Sequence, residues 1–256
     1  MSKSEISIMS LNLLTSHFRT FRFKSFSKRS IAIKQMLQQY KPDIIGVQEL
    51  NKQMYKEIND LLDTYAIVGD SRHSKHNDEF CSILFKKDNF ELLESRTLWL
   101  SNSPTIIGSK HPFSQFPRIV TYAYLKEKKT GKTISVYNTH LDSNFELVRH
   151  FQARALSKII QDTQKGDYTI LTGDFNCNSL SSAYQIIQTP FIDVVDDSIG
   201  STLRGTIGSI RYHHIPIDHI FVSNNCKVSQ IKKITSKYSN MNPTDHFPVF
   251  AKCILK

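Results

Sequence analysis

Residues 168–176 read YTILTGDFN, an apolar run that closes on glycine, aspartate, phenylalanine and asparagine. Tyr168 to Leu171 has the length and composition of a buried strand, and Gly173 marks its end. A carboxylate beside a core strand costs several kcal/mol unless it is paired or binds a metal. Working outward, the same form recurs along the chain. Ile6 to Leu11 alternates as a strand and runs into Asn12, and Asp43 to Gln48 (DIIGVQ) runs into Glu49. Thr133 to Asn138 leads to Thr139-His140-Leu141-Asp142, Ile215 to Val222 carries Asp218 among apolar neighbours, and Thr244-Asp245-His246 precedes the last strand. One polar strand end is ordinary; six predict a single rim where strand ends converge.

Between these strands the periodicity predicts helices over 30–40, 52–62, 145–161 and 182–188, with further strands at 65–68, 80–85, 90–100, 119–125, 228–235 and 247–255. Lys87-Asp88-Asn89 and Lys129-Thr130-Gly131 supply hairpin turns. There is no repeat, low-complexity segment or linker, so residues 1–256 are predicted to form one domain. Periodicity alone gives a mixed α/β, mostly antiparallel chain.

Composition bounds the rest. Hydrophobic residues make up 39% and charged residues 22% of the 256, which fits a globular protein with a sizeable core. No run of about 18 apolar residues or signal-like start is present, so the expectation is a cytoplasmic monomer with no membrane partner. Cys81, Cys177, Cys226 and Cys253 are too scattered for a zinc site or a disulfide scaffold and read as free thiols. The net charge of +10, with a cluster of Arg19, Arg22, Lys24, Lys28 and Arg29, suits a polyanionic partner.

The rim residues are hard oxygen donors with histidines beside them, a set that favours Mg²⁺ or Mn²⁺ over zinc. Phosphoester hydrolysis needs a cation on the phosphoryl oxygens, a base for water and donors for the developing charge. The set contains all three.

In this order, Leu11-Asn12, Gln48-Glu49, YNTHLD (137–142), LTGDFN (171–176), Ile217-Asp218 and TDHFPV (244–249) resemble the signature blocks of the endonuclease/exonuclease/phosphatase superfamily over nearly the whole chain. RTLWLS (96–101) and FPRIVTYAYL (116–125) resemble a bacterial subgroup. The resemblance implies a four-layer DNase I-like sandwich, two mainly antiparallel sheets face to face with helices outside. It also implies a metal-dependent phosphoric ester hydrolase. Glu49 would be the principal cation ligand, helped by Asn12 and Asp245; Asp174 would orient or deprotonate the attacking water and Asn176 hold it. His140 and His246 would donate to the phosphoryl oxygens, with Asp218 keeping His246 protonated. Arg118 is either a phosphate clamp or a surface ion-pairing arginine, and Asp142 either a substrate group or, slightly favoured, a loop cap.

Two stretches depart from the family pattern. His219 stands where relatives carry an aromatic residue, and Thr202-Leu203-Arg204-Gly205 lacks the aromatic and histidine usual there, with His213-His214 nearby as a substitute. The expected substrate is phosphorylated, with nucleic acid as the leading reading. A small phosphorylated metabolite is the alternative, and a non-catalytic binding protein on the same fold is the minor one.

Overall fold

The computed structural model describes residues 4–16, 25–73, 78–204 and 214–256. Strands alternate with helices in the order β1 (Ser4–Asn12), α1 (Phe26–Tyr40), β2 (Ile44–Leu50), α2 (Lys52–Glu57), β3 (Tyr65–Val68), β4 (Phe80–Lys86), β5 (Phe90–Trp99), β6 (Ile119–Glu127) and β7 (Thr133–His140). The second half continues α3 (Glu146–Thr163), β8 (Tyr168–Asp174), α4 (Ser182–Gln188), β9 (Phe191–Asp193), β10 (Asp218–Ser223), β11 (Cys226–Lys233) and β12 (Val249–Leu255).

The strands form two six-stranded sheets, ordered β11-β12-β1-β2-β4-β3 and β5-β6-β7-β8-β10-β9. Each is antiparallel except for one parallel pair, β1 with β2 and β7 with β8. A parallel pair needs a crossover, and α1 and α3 provide them. The helices lie on the outer faces: α1 and α2 cover the first sheet through Ile33, Met36, Leu37 and Met54, and α3 and α4 cover the second through Leu156, Ile159, Ile160 and Ile187. This is the four-layer sandwich that the family resemblance implied.

Strand periodicity decides which residues reach the seam between the sheets. On β1, Ile6 and Ile8 face the seam while Met9 and Leu11 face α1. The seam-facing row therefore continues through Ser10 to Asn12. On β2 the row runs Ile44, Gly46, Gln48; on β7 it runs Ile134, Val136, Asn138, His140; on β8 it runs Tyr168, Ile170, Thr172, Asp174. Each row is apolar at one end and polar at its carboxyl end. Asp218 opens β10 opposite Asp174 in the antiparallel register, so it joins the same end.

Polar groups buried in a seam must be paired. Asn138 donates to Val47 O and Ser82 O at 2.9 Å each, and its amide oxygen accepts from Gln48 Nε2 at 2.7 Å and Thr172 Oγ1 at 3.1 Å. The sheets meet so closely there that a Cβ on Gly46 would lie 1.9 Å from Thr172 Oγ1.

Some elements differ from expectation. Helix α1 starts at Phe26 rather than residue 30, because Arg29 and Phe26 are buried beneath the loop after β1. The helix expected over 52–62 is α2 followed by a 3₁₀ turn at Asn59–Asp63. Strand β9 has only three residues and was not anticipated.

Candidate active site

The polar ends of the seam rows meet at one rim. Asn12 Nδ2 donates to Glu49 Oε1 and to Asp174 Oδ2, both at 2.9 Å, so one amide links a carboxylate from each sheet. Its amide oxygen accepts from Leu14 N at 2.9 Å, and Thr15 N donates to Glu49 Oε2 at 2.8 Å. Glu49 stands at a break in the register between β2 and β4, with φ 62°. A left-handed backbone on a glutamate is uncommon and costs of order 1–3 kcal/mol, and such conformations concentrate at functional sites. Loss of hydration, then the charge of Asp245, raise the Glu49 pKa.

Beside Asp174 of the second sheet, His140 Nε2 lies 3.5 Å from its Oδ2, and His246 Nε2, from the loop before β12 of the first sheet, lies 3.8 Å from it. Asp218 Oδ2 is 2.8 Å from His246 Nδ1. All four side chains are buried. The two imidazoles are driven apart. Burial lowers the His140 pKa well below the ordinary value, and Arg118 and Arg72 reinforce it, which favours the neutral ring. Burial also opposes charge on His246, yet Asp218, through its charge and hydrogen bond, raises its pKa well above the ordinary value. The carboxylate thus favours the imidazolium form of His246. Asp174 is raised to about 6 by burial and by the charge of Asp218, partly offset by His246.

Asn176 has φ 48°; its N–H donates to Asp174 Oδ1 at 3.0 Å and its side chain to Leu141 O at 3.1 Å. Asp245 is half-buried and accepts from Thr244 Oγ1 at 3.1 Å. Arg118 is not a surface arginine. It is 7% exposed and lines a narrow recess with Glu49, Arg72, Cys81 and His140. Its Nε has no hydrogen-bond partner among the described residues, and burial, then Arg72, lower its pKa. Asp142 acts as a cap: Oδ1 accepts from Asn144 N and Phe145 N at 2.9 and 3.1 Å, and Oδ2 from Ser114 Oγ at 2.9 Å.

Glu49, His140 and Asp174 bring ligand atoms within 4.8 Å of one another, as do Asp174, Asp218 and His246. Glu49 and Asp174 joined through one amide, with Asp245 adding negative charge, fit a hard divalent cation.

Sequence reading missed several supports. Arg29, grouped there with the polyanion-binding cluster, is instead buried, and its guanidinium donates to Leu13 O, Leu14 O and Pro243 O at 2.6, 2.7 and 3.0 Å. It ties the loop beneath Glu49 to the loop that carries Asp245. Lys28 is exposed; Arg19, Arg22 and Lys24 lie outside the described residues. Arg72 pairs with Asp78 and Glu79 at 2.7 Å each. Thr202 Oγ1 accepts from Ile217 N and Asp218 N at 3.1 and 3.2 Å, and Leu203 bridges His246 in an antiparallel pair. Arg204 donates to His246 O at 3.1 Å and packs 4.0 Å from the Phe247 ring centre. The unusual Thr202-Leu203-Arg204 stretch thus clamps the Asp245-His246 loop. Gly205 and His213 lie outside the described residues, and His214 is exposed. His219 points away from the seam: Nδ1 is 2.8 Å from Asp193 Oδ2 and Nε2 is 3.2 Å from Cys177 O.

Comparison with known proteins bears on the family and the fold. A protein-family model described as the endonuclease/exonuclease/phosphatase family matches residues 9–246. The Ccr4 3'-5'-exoribonuclease subunit of the CCR4-Not complex from Candida albicans is 24% identical over 229 residues, 73% of this chain. The match spans only 29% of that longer protein. Among solved structures, an endonuclease/exonuclease/phosphatase family protein from Bacteroides thetaiotaomicron superposes with a TM-score of 0.88 at 24% identity, covering 100% of both chains. The mannosyl-6-phosphatase Bt3783 of the same species superposes with a TM-score of 0.84 at 25% identity, over 97% of this chain and 99% of that one. With a family match across nearly the full rim, from the strand of Asn12 to His246, and the same sandwich in these structures, the chain belongs to the endonuclease/exonuclease/phosphatase family.

Proposed function

We propose that this protein is a divalent-metal-dependent phosphodiesterase acting on nucleic acid, hydrolysing a P–O bond by in-line attack of water. The observation that carries this reading is the meeting of Glu49, Asn12 and Asp174 with two histidines, His140 and His246, within 3.5 and 3.8 Å of Asp174. The net charge of +10 favours a polyanion as substrate. The reading takes residues 1–256 as one catalytic domain.

Glu49 would hold Mg²⁺ or Mn²⁺, with Asn12 and Asp245 completing the set directly or through water. When bound, the cation supplies Lewis-acid stabilisation of a phosphoryl oxygen. The chain's own groups do the rest. Asp174, with a pKa about 6, takes the proton of the attacking water near neutral pH. Asn176 positions that water. His246, held charged by Asp218, donates to a phosphoryl oxygen as negative charge develops, and neutral His140 donates to another. Arg118 clamps the phosphate from the recess, and Asp142 fixes the loop after His140.

A second reading is hydrolysis of a small phosphorylated metabolite. It is favoured by the narrow recess bearing Arg72 and Arg118, and by the likeness to a mannosyl-6-phosphatase. A hydrolysis screen with Mg²⁺ and with Mn²⁺ separates the two. It runs single-stranded and duplex DNA, RNA and phosphomonoesters, each with EDTA and with Asp174→Asn beside it. Metal-dependent cutting of nucleic acid, lost in the variant, is expected. Turnover of small esters alone would establish the second reading instead, and no metal-dependent turnover would overturn both.

A further inference from the structure

Beside the catalytic rim, the loop 100–112 and the outer face of α3 enclose a groove of about 740 Å³. One wall carries Ser109, Lys110 and His111; the other carries Phe151, Arg154 and Lys158. The helical wall follows from spacing: residues 147, 151, 154 and 158 fall on one stripe of α3, and all four are exposed. His111 stacks on Phe151 with ring centres 4.7 Å apart and an interplanar angle of 17°, and also packs against Phe113. Phe113 is 70% and Phe151 45% exposed. With Ile106, Ile107 and Leu147, no other region of the described residues exposes so many large apolar side chains. Patches of this kind mark interaction sites.

We propose that this groove is a binding track for the single-stranded nucleic acid that enters the catalytic rim, an inference that rests on the nuclease reading above. Charge complementarity selects the occupant. Lys110, which also donates to Gln115 O at 3.0 Å, and Arg154 line the groove, while Lys158 pairs at 2.6 Å with Asp162, the one acid among the lining residues, so the lining keeps a net positive charge. A basic groove interleaved with aromatic rings is the general solution for single strands, whose bases stack while the backbone follows the cations. From Phe151 to Lys158 the helix rises about 10 Å, the length of two to three stacked nucleotides at about 3.4 Å each. A rigid duplex does not present base faces to such a track. A membrane surface calls for a protruding apolar face rather than a concave one flanked by serines.

The groove is tied to the chemistry at its Phe151 end. Its loop continues through Ser114, bonded to Asp142, to Arg118 in the catalytic recess. Gln152 Oε1 accepts from Asp142 N at 2.8 Å, and Arg149 donates to Asp142 O at 3.0 Å. These bonds hold the α3 wall of the groove against the loop that follows His140.

The test uses the full chain carrying Asp174→Asn, to prevent cleavage, and fluorescein-labelled 12-residue single-stranded RNA and DNA followed by anisotropy. Duplex DNA and phosphatidylcholine–phosphatidylserine vesicles run in parallel. Single strands are expected to bind in preference to both. Phe151→Ala is expected to weaken binding about tenfold. The pair Arg154→Glu with Lys158→Glu is expected to flatten the salt dependence, by about 0.7 in the log–log slope for each phosphate no longer neutralised. With Asp174 intact, the groove variants should turn over bis(p-nitrophenyl) phosphate at the parental rate and melt at the parental temperature. Unchanged oligonucleotide binding in these variants, a preference for duplex, binding to vesicles alone, or no oligonucleotide binding at all overturns the proposal. Absence of metal-dependent turnover of the small diester by the parent would instead overturn the hydrolase reading. The binding assay still reports on the groove in that case.

Discussion

His219 Nδ1 lies 2.8 Å from Asp193 Oδ2, and both side chains are buried beneath the strand that carries Asp174. Tyr184 donates to the same carboxylate oxygen at 2.8 Å, and His219 stands at 3.2 Å from Cys177 O, so both ring nitrogens face acceptors. Burial opposes charge on the ring, but the hydrogen bond and charge of Asp193 win, and its pKa is raised. His219 and Asp193 thus form a buried hydrogen-bonded pair whose raised histidine pKa favours the charged form.

Removing one partner of such a pair leaves the other uncompensated. His219→Phe should lower stability by about 3 kcal/mol, and adding Asp193→Leu should restore part of the loss; urea unfolding measures both. The raised folded pKa gives a sign for pH. The pair's contribution is complete below the unfolded histidine value of about 6.5 and is lost as pH rises through the folded value. The urea midpoint of the parent should therefore fall as pH is raised above neutrality, and this fall should be smaller in His219→Phe.

The rate profile should carry two limbs. Asp174, at about 6, must lose its proton to act as a base, so kcat/KM should rise with pH through that region. His246 must keep its proton, so activity should decline only above the ordinary histidine range. Asp218→Asn removes the charge that raises both groups, and both limbs should move to lower pH. A basic limb left in place by Asp218→Asn would exclude His246 as the acid.

Glu49→Gln should separate metal binding from folding. Without cation the variant is expected to unfold at a urea concentration no lower than the parent's, because a buried carboxylate facing Asp245 has been neutralised. Added Mg²⁺ or Mn²⁺ should raise the parent's Tm by mass action and leave the variant's Tm nearly unchanged. Equal cation-induced shifts in the two proteins would remove Glu49 from the ligand set.

Arg118→Met tests the recess. A buried guanidinium with an unpaired Nε is a stability burden, so the variant should unfold at the parental denaturant concentration or higher. Turnover should fall by about two orders of magnitude if the guanidinium stabilises the transition state by about 3 kcal/mol. Loss of activity through misfolding would show instead as a lowered urea midpoint.

Much of this architecture was legible because strand alternation is a local property. The rows ending in Asn12, His140 and Asp174 can be read from period-two hydrophobicity, and the polar residue closing each row is conspicuous because burial penalises it. Strand order and the two parallel pairings depend on which crossovers pack together, which no single segment encodes. Arg29 reads as part of a basic cluster because its acceptors, Leu13 O and Pro243 O, are brought together only by the fold, and Arg72 draws no notice for want of any pattern around it. Strand β9 escaped notice because FID in isolation is too short to show a period. Thr202 stands out only as part of a stretch that departs from the family pattern; that its hydroxyl accepts two amides across the chain is set by the fold.

The absence of a side chain at Gly46 has a mechanical consequence. There the sheets meet as hard surfaces, so one layer has no slack in which to slide over the other. Glu49 belongs to one layer and Asp174 to the other, and that stop acts with the Asn12 amide bonded to both to hold their separation. Substrates of different girth must then be accommodated by the rim loops alone, with the sandwich acting as an anvil of constant gauge beneath them.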